Sequence, residues 1–444
     1  MEYQRERCRR LVLVPLPFQG HITPMLQLGT ILHSKGFHIT IAHTQFNFPD
    51  PLNYPDFDFL PMSDGICERN VSSHNFIALI SGFNTNCKGH LQESLARIME
   101  KEDQDNKIAC IIYDEYMHFA EEVATHLGIP SIILSTSSAA KMQSYLAIPR
   151  LQKDGYIPFQ DSMMLELVPG LQPLRFKDLC LQISKNLDDL LQMIAKALDP
   201  RSSSAIIWNT TDCLEQSTLA KIQQEYQLPL FPIGPLHKTV AATSISLFKE
   251  DQSCISWLDK QSHNSVIYVS LGSIAFMDNK DLLEMAWGLA NSEQPFLWVV
   301  RMDSTPLPQG FQEAVGGRGC IVKWAPQKQV LAHNSVGGFW SHCGWNSTIE
   351  SISEGVPLIC QPYFGDQRVN ARYLSQVWEV GLAWENDMKR GAIEEAIRML
   401  MVGNEGKLAR QKAKDLKQKI ELSIDHGGSS YNSLNDLVDL ILSF

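Results

Sequence analysis

Between Trp324 and Gln367 the chain reads WAPQKQVLAHNSVGGFWSHCGWNSTIESISEGVPLICQPYFGDQ. Indole rings, short hydroxyls, side-chain amides, a histidine and carboxylates gather around a predicted strand-to-helix turn. Trp340 ends a buried strand, Ser341, His342, Cys343 and Gly344 make the turn, and Trp345-Asn346-Ser347-Thr348 open a helix. A helix start offers N–H groups and a partial positive charge, so this turn could hold a diphosphate. Gly344 permits close backbone approach, and His342, Asn346 and Ser347 add side-chain donors. On SHCGWNS alone, an ordinary Ser/Asn-capped helix of an α/β domain fits equally well. The wider mixture is what a nucleotide-sugar site needs: a flat face for the base, donors for the diphosphate, and carboxylates and amides for sugar hydroxyls.

A second constellation lies near the N-terminus, in PFQGHITPM. His21 follows a first strand and opens a helix. Histidine titrates near neutral pH and suits removal of a hydroxyl proton. The helix start disfavours the imidazolium and should keep His21 neutral. A carboxylate on the other ring nitrogen would fix the tautomer. Asp114, in YDEY just after the IACII run, is the candidate, at the same end of a neighbouring strand.

The elements that must position these residues are short apolar runs alternating with amphipathic stretches, the pattern of parallel sheets covered by helices. In the first half the predicted strands are Leu11–Leu16, His38–Ala42, Ile108–Tyr113, Ser131–Ser135 and, as the last, Ile206–Asn209. Helices are predicted at His21–Ser34, Tyr116–Leu127 and Ser137–Leu151. A polar, irregular linker at 237–252 separates an N-terminal domain, 1–236, from a C-terminal one, 253–429. There the alternation restarts, with strands at Val266–Leu271, Phe296–Val300, Ile321–Lys323, Val336–Trp340 and Leu358–Cys360. Helices follow at Asp278–Asn291, Gln327–Ala332, Trp345–Glu354, Gln367–Ser375, Arg390–Met401, Glu405–Ser423 and Ser430–Leu442. Two parallel-sheet domains imply a cleft, and ligands bind beyond the carboxyl ends of parallel strands.

At 444 residues the chain exceeds one ordinary core. A net charge of −11 argues against nucleic acid, which calls for a basic stripe. The 10 cysteines show no CxxC pair, which fits reduced thiols in a cytoplasmic protein. RERCRR before LVLVPLPF mimics a signal peptide, but Pro15 and Pro17 break the apolar run and no cleavage site follows. No apolar stretch is long enough to span a bilayer. Sequons at Asn70 and Asn209 therefore carry little weight, and a glycan on a third, at Asn346, would disrupt the turn it belongs to.

The box from Trp324 to Gln367, together with PFQGHITPM, resembles the signature of plant UDP-glycosyltransferases of family 1. The resemblance implies the GT-B fold: two Rossmann-like α/β domains facing a central cleft, acceptor in the N-terminal one and UDP-sugar in the C-terminal one. It also implies that the last helix, 430–444, packs back onto the N-terminal domain. By resemblance, Trp324 stacks on uracil and the Ala325 backbone pairs with its edge. Gln327 and Glu350 hold the ribose; Ser273, His342, Asn346 and Ser347 hold the phosphates; Trp345, Asp366 and Gln367 meet the hexose. Gln367 with Trp345 resembles glucose-using members. Thr136 resembles a position that reaches the hexose from the acceptor side, and the resemblance supports His21 and Asp114 as catalytic pair. Direct displacement would invert the sugar and give a β-glucoside, with the UDP charge met by the helix start and His342 rather than by an acid.

PFQGHITPMLQLGTILHSKGFHITIAHTQFN, IVKWAPQKQVLAH and HGGSSYNSL resemble the subgroup with steviol-glycoside and cytokinin glucosyltransferases. Phe18, Phe83, Tyr116, Met142 and Tyr145 are candidate acceptor walls, each equally readable as core, and would suit a small lipophilic acceptor. No cofactor or metal is expected beyond UDP-glucose as co-substrate, and a monomer is the default. DxD stretches hold manganese in another glycosyltransferase fold, and two occur here, Asp56-Phe57-Asp58 and Asp103-Gln104-Asp105. Solvated surface carboxylates account for both: the first alternates with aromatics as an edge strand would, and the second sits in a charged loop. A nicotinamide oxidoreductase would want GxGxxG where the chain has PFQGH, and a serine hydrolase a GxSxG elbow, which is absent. A non-catalytic binding protein would fit a lost base or a broken box, and both are intact.

Overall fold

The computed structural model describes residues 9–66, 76–101, 107–179, 181, 186–200, 202–240, 246–273, 277–300 and 307–444. The chain divides into two compact units. The first comprises Met1–Ala147, Ile183–Leu247 and Ser423–Phe444, the second Ile148–Gln182 and Phe248–Leu422. Residues 148–182, expected from sequence in the first domain, are grouped with the second.

The first unit holds a seven-stranded sheet: β1 (Arg10–Val14), β2 (His38–Thr44), β3 (Asp58–Met62), β4 (Ile108–Asp114), β5 (Ser131–Ser135), β6 (Ala205–Trp208) and β7 (Leu230–Pro232). The order is β3-β2-β1-β4-β5-β6-β7, parallel throughout. β1, β4, β5 and β6 are buried along their whole length, which explains their unbroken apolar runs. β6 is not the last strand. The three-residue β7 follows it, and Pro232 is tolerated because β7 is an edge. The opposite edge, β3, grows from the DFDFLPM stretch, where Asp58 accepts from Arg10 at 2.6 Å and from His38 Nε2 at 2.8 Å. The other DxD, Asp103-Gln104-Asp105, lies outside the described residues.

Two helices differ from expectation. The one predicted over 116–127 begins only at Phe119, because the Tyr116 and Met117 N–H groups turn back onto Asp114. The one predicted over 137–151 is Ala139–Leu146 followed by Ile148–Lys153. Pro149 lacks the N–H that would continue the ladder. A 24-residue helix, Phe76–Met99, is missing from the predicted elements, although its buried positions Ile80, Phe83, Asn84, Cys87, Leu91 and Leu95 recur at helical spacing.

The second unit holds a six-stranded parallel sheet: β8 (Val266–Ser270), β9 (Phe296–Val299), β10 (Gly319–Val322), β11 (Val336–Ser341), β12 (Leu358–Cys360) and β13 (Gly381–Ala383), in the order β10-β9-β8-β11-β12-β13. β13 is short and half exposed, so no apolar run announces it. Both sheets reverse their strand order at one point, between β1 and β4 and between β8 and β11. Such switch points open a crevice at the carboxyl ends of the strands. Asp114 ends β4, Ser273 and His342 stand on the turns after β8 and β11, and His21 opens the helix that follows β1.

The helix Ser429–Ser443 belongs to the first unit. Leu434, Leu437 and Ile441 join the core under β1, β4 and β5, and Ser430 Oγ donates to the Gly234 carbonyl at 2.8 Å. Each of these apolar side chains stabilises the unit by about 1.5–3 kcal/mol through burial.

Candidate active site

In the first unit, His21 stands in the first turn of the helix Gln19–Ser34. Its Nδ1 lies 2.7 Å from Asp114 Oδ2 at the end of β4. A carboxylate can only accept, so Nδ1 carries the proton and Nε2 is left as the basic nitrogen. Thr136 Oγ1 lies 2.9 Å from the same Nδ1. Asp114 is fully buried, and its second oxygen accepts from the Tyr116 N–H at 3.1 Å. The Tyr116 ring meets the His21 ring edge-on at 5.9 Å.

Burial by itself would lower the His21 pKa. The charge and hydrogen bond of Asp114, with Glu115 behind it, outweigh burial and the opposing Lys141, and the pKa ends above the usual 6.5. The helix start was expected to favour the neutral ring. A carboxylate at contact distance is the stronger neighbour, so the ring holds its proton more firmly than a free imidazole.

Aromatic rings continue outward from this pair. Phe18 contacts Phe46 at 5.9 Å and Phe76 at 5.3 Å, and Phe76 meets Tyr116 at 6.3 Å. Phe46 and Phe76 do not stand out in the sequence, although each lies in a stretch of Phe and Asn. Phe18 is partly exposed. Phe83, Met142 and Tyr145 are at most 2% exposed, so here they meet protein rather than open space.

In the second unit, the turns after β8 and β11 close on one another around His342. A Cβ on Gly272 would stand 2.6 Å from the His342 ring, and one on Gly344 2.5 Å from its Nε2. Both glycines therefore let the imidazole lie flat against backbone. Cys343 adopts φ +64°, and Gly344 precedes the helix Trp345–Ser353 with no side-chain cap. Ser273 stands on the β8 turn beside Gly272. The Trp345 ring is 3% exposed and lies 6.3 Å from Trp378, so what this residue can offer a ligand is backbone.

Gln327, first residue of the helix Gln327–Ala332, joins three groups. Its Nε2 donates to Ser347 Oγ at 2.9 Å and to Glu350 Oε2 at 2.8 Å, while its Oε1 accepts from Tyr268 Oη at 3.3 Å. Glu350 is 7% exposed, and burial pushes its carboxyl up to about 7 despite the Gln327 bond. Trp324 is half buried, its carbonyl accepts from the Asp251 N–H at 2.8 Å, and Phe248 lies 4.6 Å from its ring. Ala325 is buried beside it. Phe248 and Asp251 fall within the expected linker, and Tyr268 inside a strand, so sequence reasoning missed all three.

Asp366 and Gln367 sit on the turn after β12. Gln367 Oε1 accepts from the N–H groups of Tyr363 and Phe364 at 2.9 and 3.1 Å, which points its Nε2 elsewhere. Asn370 Nδ2 donates to Asp366 Oδ2 at 2.9 Å and to the Cys343 carbonyl at 3.0 Å. One buried amide thus fastens the 366 turn to the 343 turn. Among the described residues there is no group of three or more His, Cys, Asp or Glu side chains that could hold a metal ion, and no helix long and apolar enough to cross a membrane.

Residues 59–411 match the family described as UDP-glucoronosyl and UDP-glucosyl transferase. UDP-glycosyltransferase 76E1 of Solanum lycopersicum is 50% identical, over 98% of this chain and 93% of that one. Flavonol 3-O-glucosyltransferase UGT76E12 of Arabidopsis thaliana is 44% identical, over 98% and 97%. Phytolacca americana UGT2, solved with UDP-2fluoro-glucose and pterostilbene, superposes with a TM-score of 0.85 at 28% identity, over 98% of this chain and 100% of that one. With two Rossmann-like parallel-sheet units and relatives spanning nearly its whole length, the chain belongs to the plant family 1 UDP-glycosyltransferases and has their GT-B fold.

Proposed function

We propose that this enzyme transfers glucose from UDP-glucose, with inversion and without a metal, to a small lipophilic plant metabolite. The nucleophile is a hydroxyl, or in other acceptors a carboxyl or amine. The observation that carries the reading is the 2.7 Å contact between His21 Nδ1 and a fully buried Asp114. It leaves Nε2 to take the acceptor proton while the acceptor oxygen attacks the anomeric carbon. The carbon–oxygen bond to the diphosphate breaks from the opposite side, and the product is a β-glucoside. Asp114 holds the ring and stabilises the imidazolium formed.

The donor falls to the second unit: Trp324 and Ala325 to the base, Gln327 and Glu350 to the ribose, and Ser273, His342, Asn346 and Ser347 to the diphosphate. Asp366 and Gln367, with the Trp345 backbone, meet the hexose. Charge leaving on UDP meets the helix start at Trp345. Metal independence is supported by this arrangement and by Asp58, whose carboxylate is already taken by Arg10 and His38.

Acceptor choice rests on chemistry and on relatives. Phe18, Phe46, Phe76 and Tyr116 form an aromatic path leading to His21. One relative is a flavonol 3-O-glucosyltransferase, one fold neighbour was solved with pterostilbene, and another is an anthocyanidin 3-O-glucosyltransferase. A flat phenolic hydroxyl is therefore placed ahead of terpenoid alcohols, steviol glycosides and cytokinins.

The test is mass-spectrometric transfer from UDP-glucose in EDTA to a panel of flavonols, stilbenes, phenolic acids, cytokinins and diterpenoid glycosides. Proton NMR of the product reads the anomer. Hexose addition to a phenolic, β-linked and lost in His21→Ala, is the expected result. Transfer that needs added manganese, or an α-linked product, overturns the reading.

A further inference from the structure

Next to the His21–Asp114 pair lies an ion pair to which the proposed transfer step assigns no role. Lys141 Nζ stands 2.6 Å from Glu115 Oε1, with side chains 2% and 0% exposed. An ion pair this deep is poor evidence of a stabilising role, because desolvation offsets most of the attraction. Its connections point elsewhere. Glu115 follows Asp114 directly in the chain and accepts from Ser135 Oγ at 3.0 Å, one residue before Thr136. It therefore ties the end of β4 to the turn after β5. Those two places present Asp114 Oδ2 and Thr136 Oγ1 to the same His21 nitrogen. The Lys141 ammonium lies over the rings of Tyr116, at 5.0 Å, and Tyr145, at 4.5 Å. Tyr116 in turn packs on His21 and gives its N–H to Asp114.

We propose that Glu115 and Lys141 are positioning residues for the reaction: Glu115 locks the two strand ends that hold His21, and Lys141 cancels the second negative charge this lock brings beside the imidazole. The inference rests on His21 being the base. The titratable groups facing His21 are Asp114 and Tyr116 in contact, with Glu115 on β4's end and Lys141 on the helix Ala139–Leu146 behind them. Asp114 alone must charge the ring during turnover. A second uncompensated carboxylate would hold the proton too firmly and leave less neutral base near pH 7.

The experiment titrates the His21 Cε1–H resonance in full-length protein carrying 13C-labelled histidine, assigned by its loss in His21→Ala. Glu115→Gln should move the midpoint to lower pH, by about one unit. Lys141→Met should move it the other way, and Glu115→Gln/Lys141→Met should return it near the wild-type value. The low-pH limb of kcat/KM should follow in the same order. Midpoints unchanged in the single variants, or moving in the same direction, overturn the proposal. If Lys141→Met does not fold, Glu115→Gln and the double variant decide: an unmoved midpoint in Glu115→Gln is sufficient to reject it. Retained transfer in His21→Ala would instead reject His21 as base, whatever the resonance does.

Discussion

Asp114 and Glu350 are both buried acids, one in each unit, and they are treated differently. Asp114 is met by an imidazole N–H and a backbone N–H, and its charge shows in the raised pKa of His21. Glu350 meets an uncharged amide, and burial pushes its carboxyl up to about 7. The first carboxylate is committed to its histidine before any ligand arrives. In the proposed donor site the second gains further hydrogen bonds, beyond that from Gln327, from the ribose hydroxyls. On the proposed function, one unit handles a proton and the other is completed by its ligand.

Breaking the first half of that comparison should have the largest effect. His21→Ala should lower kcat by about 10²–10⁴-fold while calorimetry finds UDP affinity unchanged; an equal loss of UDP binding would erase the distinction between the units. Asp114→Asn should cost about 10²-fold or more. Its pH profile carries the sharper information. With His21 as the proposed base its neutral form is the active one, so wild-type kcat/KM should rise as pH rises through the raised His21 pKa. Without the carboxylate that pKa falls, and the limb should move to lower pH in Asp114→Asn.

The second half is tested by binding. Trp324→Ala should weaken UDP by about 1–3 kcal/mol, as for a lost stacking platform, with kcat at saturating donor little changed. An unaltered dissociation constant would remove Trp324 from the site. Glu350 should make donor affinity depend on pH. Hydroxyl donors favour the carboxylate, so donor binding releases a proton below about pH 7. UDP-glucose should bind more tightly as pH rises toward 7 and then level off, by at most about tenfold per unit; Glu350→Gln should flatten the curve. The smallest effect is expected at the β3 edge. Asp58→Asn should leave the rate in EDTA unchanged, because its carboxylate serves Arg10 and His38.

The strands that position chemistry were legible because they are buried on both faces. LVLV, IACIIYD, VIYVS and VGGFW are short unbroken apolar runs of the kind central parallel strands show, and the candidate residues lie at or just beyond their carboxyl ends. Edges were not: β7 and β13 are three residues each and only partly covered. The candidate site residues were easiest to propose where one short segment carries them, as from Trp324 to Gln367. What escaped notice depends on contacts between distant segments. Phe248 meets Trp324 from the expected linker, and Lys141 reaches Glu115 from another element. Phe83, Met142 and Tyr145 show the converse limit: an apolar residue near a site in sequence can be spent entirely on packing.

The return of residues 423–444 to the first unit has a consequence for biosynthesis. A ribosome that has reached Leu422 has synthesised the sequence of the whole second unit, yet the first still lacks Leu434, Leu437 and Ile441 from its core. The unit begun first is the last to be completed. Until then its apolar floor beneath β1 and β4 stays uncovered, a surface for chaperones to shield during synthesis.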